Sequence, residues 1–291
     1  MNFTVVIISF KGFHIIEKNI RAIGNENQII IIENSLDKAL KKKLESLYNN
    51  VKVVIPNNNL GFGKALNLGI ELSKNDFVIN MVPDAILSKE FFLNISSILN
   101  QFDDFSVLSP TYIDESVYKT HNLYNEEKEE VVKKKVSEFI LKKVNDVDSR
   151  ILIFNKKKFN TSRIMDEKIF MYFEYADLCL RLKKTNHKMY VIENLKFKLS
   201  DLVSHHKDYE KKIQINKSWH YCWSKFYFFR KHYNYFYAFK KTLPNLLRSI
   251  KYCFYYKFKK EEHKYALYKS ELSGLINAYL LKKPNFRLDI N

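Results

Sequence analysis

Residues 3–33 have the sequence FTVVIISFKGFHIIEKNIRAIGNENQIIIIE, in which two apolar runs flank an amphipathic stretch. The runs at 3–9 and 28–33 are rich in β-branched residues, as are strands that are buried on both faces of a sheet. Residues 13–23, between them, carry apolar side chains at the i, i+3 and i+4 spacing of a helix. A strand, a helix and a second strand at this spacing predict a parallel sheet with a crossover helix.

The same alternation continues along the chain. It predicts strands at 51–55, 76–81, 150–154 and 188–199, helices at 36–48 and 63–73, a surface helix or an insertion at 125–147, and a strand or turn running into a helix at 169–184. The expected fold class is α/β, with a mostly parallel sheet flanked by helices. Ligands of such sheets bind in the loops that follow the carboxyl ends of the strands.

The positive charge of the chain lies mainly at one end. The 291 residues include 49 Lys and Arg against 32 Asp and Glu, a net charge of +17. Residues 205–291 hold 19 basic and 6 acidic side chains, a net +13, together with about half of all the aromatic residues. That aromatic content excludes a disordered basic arm. The sequence therefore predicts a sheet-based domain at 1–204 and a helical, basic, aromatic region at 205–291.

Cysteine content and hydropathy bear on the compartment. The three cysteines, Cys179, Cys222 and Cys253, are odd in number and widely spaced, which excludes a disulfide framework and a CxxC metal site. A reducing cytosol fits this usage. No apolar run reaches the ~20 residues of a membrane span, and residues 1–10 lack the basic start and the cleavage site of a signal peptide. We expect a cytoplasmic protein.

Residues 56–69, PNNNLGFGKALNLG, follow a predicted strand and enter a predicted helix. Two glycines around Phe62 allow close backbone approach and expose the amides of the helix N-terminus, as a phosphate-bearing ligand requires. The alternative is a glycine-rich turn with a helix cap. The spacing matches neither a Walker loop nor GxGxxG.

Carboxylates mark two further candidate sites. Asp84 follows the strand at 77–81, where a diphosphate and its divalent metal would be met, although an acid that caps the turn is the alternative. Glu174 and Asp177 lie three residues apart and share a helix face, so that one of them could act as a general base. The alternative is a capping acid with an Asp177–Arg181 pair, which contributes about 0.3–0.5 kcal/mol on an exposed helix. His205 is either a metal ligand or a loop residue.

The order of these motifs is more specific than any one of them. A strand ending in Ser9-Phe10, a second ending in Glu33-Asn34-Ser35, the pattern NxxxGFGxxxNxG, Pro83-Asp84 and FExxDLxxR occur in succession. Together they resemble the family 2 inverting glycosyltransferases of the GT-A fold over about residues 3–200. The resemblance is strongest to the rhamnosyltransferase-like branch that builds bacterial surface polysaccharides.

The resemblance implies roles for individual residues. Ser9 and Glu33 would contact the nucleotide base and ribose, Asp84 would bind Mg²⁺ or Mn²⁺ as the last acid of the DxD element, and Glu174 and Asp177 would face the acceptor. The implied nucleotide-sugar site comprises Ser9, Phe10, Glu33, Asn34, Ser35, Asn59, Gly61, Phe62, Asn67, Asp84 and Arg181. The implied reaction is a single displacement by an acceptor hydroxyl at the anomeric carbon of the donor sugar.

Four positions depart from the family pattern. Glu33 stands where members usually have Asp, Val82 replaces the first acid of DxD, and Tyr175 stands where many members have an acid that is assigned as the base. Leu199 takes the place of a metal-binding histidine, for which His205 or His206 are the substitutes. The base is therefore either Glu174 or Asp177.

The implied partners are a nucleotide-diphosphate sugar and a glycan or polyprenyl-linked acceptor. Apolar residues at helical spacing within 243–258, with lysines nearby, predict peripheral contact with an anionic membrane, or else a helix packed on the catalytic domain. A rival interpretation is a catalytically weakened scaffold that has lost the acid at Tyr175. A nucleic-acid-binding protein is disfavoured, because the basic residues avoid the glycine loop and no binding motif is present.

Overall fold

A computed structural model describes residues 2–113, 132–200 and 209–287. The chain divides into two compact units. The first unit comprises 1–58, 65–164 and 178–204, and the second comprises 59–64, 165–177 and 205–291.

The first unit is built on a sheet whose ten described strands run in the order β3-β2-β1-β4-β9-β6-β10-β8-β7, with β5 paired to β10. The strands are β1 Thr4–Ser9, β2 Gln28–Glu33, β3 Val51–Val54, β4 Phe77–Met81, β5 Ala85–Ile86, β6 Val107–Tyr112, β7 Lys133–Val136, β8 Phe139–Val144, β9 Ile151–Asn155 and β10 Met189–Leu199. The helices of the chain are α1 Phe13–Ile23, α2 Lys38–Leu47, α3 Phe62–Leu72, α4 Lys89–Gln101, α5 Glu174–Lys184, α6 Glu210–His232, α7 Tyr235–Phe258 and α8 Glu262–Tyr279.

The amino-terminal half of the sheet is parallel, as predicted. β1 pairs in parallel with both β2 and β4, and β2 pairs in parallel with β3. The β-branched residues of β1 and β2 are almost all buried, because helices cover both faces of such a sheet. Asp37 caps α2 by accepting hydrogen bonds from the amides of Ala39 and Leu40. The carboxyl ends of β1, β2 and β4 therefore lie side by side at one edge.

Of the two alternatives for 125–147, a surface helix or an insertion, the helix is wrong for the part that the structure describes. Residues 133–144 form the antiparallel hairpin β7–β8, and residues 125–131 lie outside the described ranges. Val136, Phe139 and Leu141 are buried while Lys135 and Ile140 are exposed, which is the two-residue period of a strand. Ser137, at the turn, has a φ of +54°. The run of charged residues hid this alternation in the sequence.

The second unit contains the predicted helical region. Helices α6, α7 and α8 pack on one another, and α6 supplies much of the core through Trp219, Trp223, Phe226 and Phe228. Within the ranges that the structure describes, none of the helices is both long and apolar enough to cross a membrane.

Candidate functional site

Ser9 and Glu33 form a polar pair at the carboxyl ends of β1 and β2. The two residues are direct neighbours in the strand register, and both are fully buried. One carboxylate oxygen of Glu33, Oε1, accepts a hydrogen bond from the Ser35 amide at 2.7 Å and a second from the Ser35 hydroxyl. The other oxygen, Oε2, and the Ser9 hydroxyl have no hydrogen-bond partner among the described residues. A buried polar atom without a partner costs about 1–3 kcal/mol, so these two atoms are candidates for ligand contacts.

The loops after β1 and β2 are tied together beside this pair. The Lys11 amide donates to the Ser35 hydroxyl at 3.3 Å, and the Asn34 amide donates to the Ser9 carbonyl at 2.9 Å. Lys11 adopts a left-handed backbone with a φ of +56°. Phe10 is half-buried in the same loop, and Asn34 is buried. The structure therefore brings Ser9, Phe10, Glu33, Asn34 and Ser35 together at one edge of the sheet.

Asp84 lies at the same edge, because β4 neighbours β1. The turn that carries it is fixed by three hydrogen bonds to backbone oxygens. The side-chain amide of Asn19 donates to the Pro83 carbonyl at 2.8 Å. The backbone amide of Ser200 donates to the Asp84 carbonyl at 2.8 Å, and that of Val82 to the Arg150 carbonyl at 2.9 Å. Asp84 itself is half-buried. Its carboxylate thus belongs to a defined turn beside the end of β1.

The donor set at Asp84 bears on metal binding. Among the described residues, no group of three or more His, Cys, Asp or Glu side chains is arranged to hold a metal ion. Mg²⁺ and Mn²⁺ accept one or two carboxylates and complete their coordination with phosphate oxygens and water. A single carboxylate at a strand end therefore fits a metal that binds together with a diphosphate. His205 and His206, the other predicted ligands, lie outside the described residues.

In the second unit, the glycine loop lies on the segment 165–177. The Phe62 amide donates to the Phe170 carbonyl at 2.9 Å, and the Asn59 side chain accepts from the Gly61 amide at 2.9 Å. Gly61 has a φ of +74°, and a Cβ there would lie 2.3 Å from the Phe170 carbonyl oxygen. The Phe62 ring contacts that of Tyr175 at 5.3 Å between centroids. Close approach of the chain to itself thus requires glycine at position 61.

Asn67 and Arg181 belong to the first unit. Asn67 is buried on α3, which packs so closely on β1 that a Cβ at Gly69 would lie 2.4 Å from a methyl group of Val6. The Arg181 guanidinium donates to the Ile164 carbonyl at 2.7 Å. This contact gives Arg181 a role in holding the chain, alongside the role in donor binding that the resemblance implies.

A strained turn precedes α5. Tyr172 and Phe173 have φ values of +68° and +67°, a left-handed conformation that costs bulky residues of order 1–3 kcal/mol each. The turn is held in place by α6, since the Ser224 hydroxyl donates to the Met171 carbonyl at 2.8 Å and the Phe173 ring contacts that of Phe228. Strain of this kind is concentrated at functional sites. Here it sets the position of Glu174, the first residue of α5.

Glu174 is a buried carboxyl group with a perturbed acidity. Its exposed fraction is 5%, and burial raises its pKa to about 7. A carboxylate with a pKa near the operating pH is well matched to proton transfer. Tyr172 is itself partly buried, and this burial, together with the nearby Glu174 charge, raises the pKa of Tyr172 to about 12.

Asp177 is held by a network of charged groups from α6. It is fully buried, and its Oδ1 accepts hydrogen bonds from Lys231 Nζ at 2.5 Å and from His232 Nε2 at 2.8 Å. Lys231 also bridges to Asp166 at 2.7 Å, and the Tyr227 hydroxyl donates to the same Asp166 oxygen at 2.9 Å. Burial acts to raise the pKa of Asp166, but the hydrogen bonds from Lys231, the Lys168 amide and Tyr227, together with the charge of Lys231, outweigh it and the pKa is lowered.

Sequence reasoning missed Lys231 and His232. They follow Asp177 by more than fifty residues, and no local motif marks two basic residues at the end of an aromatic helix. The network distinguishes the two candidate bases. Asp177 is engaged by two side chains of α6, whereas Glu174 is a buried carboxyl whose pKa is near neutrality.

Comparisons with known proteins agree with the motifs. The model of the family described as "Glycosyl transferase family 2" matches residues 4–163. A search of curated proteins finds no match.

Among solved structures, the chain is similar to a Pyrobaculum calidifontis mannosyltransferase in complex with GDP-Man and Mn²⁺ (TM-score 0.55, 9% identity, covering 97% of this chain and 88% of that one). It is also similar to residues 1–349 of S. aureus TarS with UDP-GlcNAc (0.50, 14%, 100% and 95%) and to GalNAc-T7 with UDP, GalNAc and Mn²⁺ (0.50, 11%, 84% and 57%). At these identities the likeness shows the fold alone. It confirms the expected GT-A fold, and since the family model covers more than half of its residues, the chain belongs to glycosyl transferase family 2.

Proposed function

We propose that this protein is an inverting glycosyltransferase of the rhamnosyltransferase-like branch, active in the synthesis of a surface polysaccharide. It transfers rhamnose or another hexose from a nucleotide-diphosphate donor to a hydroxyl group of a glycan or polyprenyl-linked glycan. The observation that carries the proposal is the buried Ser9–Glu33 pair, whose two unpartnered oxygens lie at the strand ends of a family 2 chain. The GDP-Man and UDP-GlcNAc of the similar structures support a nucleotide-sugar donor.

The first unit supplies the contacts to the nucleotide in this proposal. Glu33 Oε2 accepts a hydrogen bond from a hydroxyl or N–H group of the nucleoside, and the Ser9 hydroxyl donates one. In this proposal Phe10, Asn34, Ser35, Asn67 and Arg181 complete the contacts from the first unit, and the resemblance assigns Asn59, Gly61 and Phe62 of the glycine loop to donor binding as well. We assign donor binding and catalysis to 1–204, with 205–291 as a C-terminal helical region.

A divalent cation belongs to the proposal. Asp84 would hold Mg²⁺ or Mn²⁺ together with the donor diphosphate, and the Mn²⁺ in two of the similar structures supports this. The cation supplies charge neutralisation of the leaving diphosphate. His205 remains a proposed ligand.

Glu174 is the base in this proposal, and Asp177 is a positioning residue. The Glu174 carboxylate takes the proton of the acceptor hydroxyl as the acceptor oxygen bonds to the anomeric carbon. The bond from that carbon to the diphosphate breaks on the opposite face, which inverts the configuration. The pKa of about 7 of the Glu174 carboxyl supports its role as the base, because a carboxylate of ordinary pKa is a weak base for a hydroxyl proton. Lys231 and His232 hold Asp177, one turn further along α5, and so fix the start of that helix.

The proposed enzyme works in the cytoplasm, in peripheral contact with the inner face of the cytoplasmic membrane. A polyprenyl-linked acceptor would be available there. The net +13 of residues 205–291 supports a location near anionic lipid.

The test is thermal unfolding with a panel of nucleotide sugars, including GDP-mannose, UDP-N-acetylglucosamine and dTDP-rhamnose. A ligand that binds the native state at about 100 times its Kd stabilises it by about 2.7 kcal/mol. We expect one donor to raise the Tm of the wild type, Glu33→Gln to abolish the shift, and Glu71→Gln, on the exposed face of α3, to keep it. No shift with any donor would contradict the proposal. A shift without donor hydrolysis or transfer would favour the scaffold alternative.

A further inference from the structure

Helix α7 presents a row of large apolar side chains to solvent. Phe236, Leu247, Ile250, Phe254 and Phe258 are spaced by 11, 3, 4 and 4 residues and therefore lie on one face, which we call the outer face of α7. The exposed fractions of Phe236, Phe254 and Phe258 are 83%, 72% and 93%. A contiguous apolar surface of this kind marks an interaction site.

The opposite face of α7 is small and polar, and it is this face that packs on α6 and α8. Ala238, Thr242 and Ser249 are its buried residues. The Thr242 hydroxyl lies 3.0 Å from that of Tyr279, and the Ser249 hydroxyl donates to Glu271 at 2.7 Å. An amphipathic helix of a globular domain normally turns its apolar face to the core. Specific polar contacts thus fix α7 in the reverse orientation.

The charges of α7 indicate which partner this face fits. The helix carries five basic and no acidic residues. Lys240 and Lys251 each follow an outer-face residue by four positions, and Lys257 follows Phe254 by three, so cations flank the apolar row. A second copy of the chain would bring the same positive charges against them. An anionic bilayer offers an apolar layer together with negative headgroups.

We propose that the outer face of α7 inserts into the headgroup and acyl boundary of an anionic membrane, with α7 lying parallel to the bilayer surface. The proposal deepens the membrane contact named in the proposed function and rests on it for the biological setting, but not on sugar transfer. It also extends the sequence prediction, because Phe236 lengthens the face by two turns beyond Leu243. The exposed Tyr255, at its edge, has the apolar ring and polar tip that suit the interface.

Vesicle flotation with the full chain tests this. We expect the wild type to float with phosphatidylglycerol–phosphatidylcholine vesicles and to a much smaller extent with phosphatidylcholine alone. Phe254→Ser/Phe258→Ser should reduce the bound fraction roughly tenfold, and Lys251→Glu/Lys257→Glu should reduce it similarly. The matched control is Leu47→Ser/Leu93→Ser, which removes two leucines of about half exposure from α2 and α4 and should float like the wild type.

Equal flotation of the phenylalanine variant and the control would overturn the proposal. A second result would also overturn it: the wild type does not bind anionic vesicles but forms a dimer in sedimentation velocity, and Phe254→Ser/Phe258→Ser dissociates that dimer. The partner of the outer face of α7 would then be a second copy of the chain. Donor-induced thermal stabilisation, measured without vesicles, should be the same in all four proteins. Loss of that stabilisation in every protein, with flotation intact, would contradict sugar transfer and leave the membrane surface standing.

Discussion

Among single residues, Glu174 sets the pH dependence of the proposed reaction. Only the carboxylate form accepts a proton, and the pKa of about 7 puts half of the enzyme in that form near neutrality. We therefore expect kcat/KM to rise with pH through about 7, and Glu174→Gln to lower kcat by a factor on the order of 10²–10⁴ and to abolish this limb. Initial rates across the pH range would check it. A Glu174→Gln variant with wild-type turnover would assign the base elsewhere.

The same raised pKa predicts that the ionised form of Glu174, which serves catalysis, lowers the stability of the folded protein. Glu174 has an ordinary pKa of 4.5 when unfolded and about 7 when folded, so between these values the native state binds the extra proton and stability falls as pH rises. Above pH 7 the full cost is present, on the order of 3 kcal/mol at 1.36 kcal/mol per pKa unit. Glu174→Gln should therefore stabilise the protein at alkaline pH and change little near pH 4.5. Urea unfolding at both values measures the difference, and an equal effect at both would contradict the raised pKa.

Lys231 has a structural role that a single substitution exposes. Its ammonium group joins Asp166 and the fully buried Asp177. Lys231→Met would leave Asp177 with His232 as its remaining α6 partner, and we expect a loss of about 2–3 kcal/mol in the free energy of unfolding. Lys240→Met, on the exposed side of α7, is the matched control and should change stability by less than about 0.5 kcal/mol. Equal losses in the two variants would show that the network contributes nothing specific.

Among the structural elements, the glycine loop has two reasons to need glycine: a positive φ, and close contact with a neighbouring segment of the backbone. Gly61 and Gly24 both have positive φ, but a Cβ at Gly61 meets the Phe170 backbone, whereas a Cβ at Gly24 meets the mobile end of Glu26. Gly61→Ala and Gly24→Ala both place a Cβ on backbone of positive φ, and only Gly61→Ala places it against the backbone of Phe170. We expect Gly61→Ala to cost roughly 2 kcal/mol more and to abolish donor-induced stabilisation. Identical unfolding free energies would mean that the loop can move away from Phe170.

Element boundaries were predictable where local pattern alone determines them. α1 was predicted at its observed limits, and β1, β2 and β4 to within one residue, because β-branched runs and helical spacing need no knowledge of neighbours. The hairpin β7–β8 was not predictable in this way, since lysines dominate its strands and three buried side chains alone reveal the period. The partners of Asp177 were hidden for another reason: they come from a helix distant in sequence. The strained turn at Tyr172 has no signature in composition.

For the molecule as a whole, the sequence showed where along the chain the positive charge lies, but not which face of α7 is exposed. The excess of +13 in residues 205–291 could be counted, and helical spacing pointed to an amphipathic helix. Which face of α7 meets α6 and α8 depends on small residues such as Thr242 and Ser249, whose hydroxyls find partners on α8. The apolar face therefore points outward, contrary to the usual rule for a soluble bundle.

Salt dependence should separate the two parts of membrane binding. Raising the ionic strength from about 0.01 M to about 1 M shortens the Debye length from about 30 Å to about 3 Å, which screens the lysines but leaves apolar insertion intact. We expect the wild type to retain a fraction of its flotation with anionic vesicles at high salt, because Phe254 and Phe258 stay inserted. Phe254→Ser/Phe258→Ser should bind only at low salt, through charge alone, and Lys251→Glu/Lys257→Glu should show the weakest salt dependence. Parallel salt curves for all three proteins would mean that charge acts alone and that the exposed phenylalanines do not enter the bilayer.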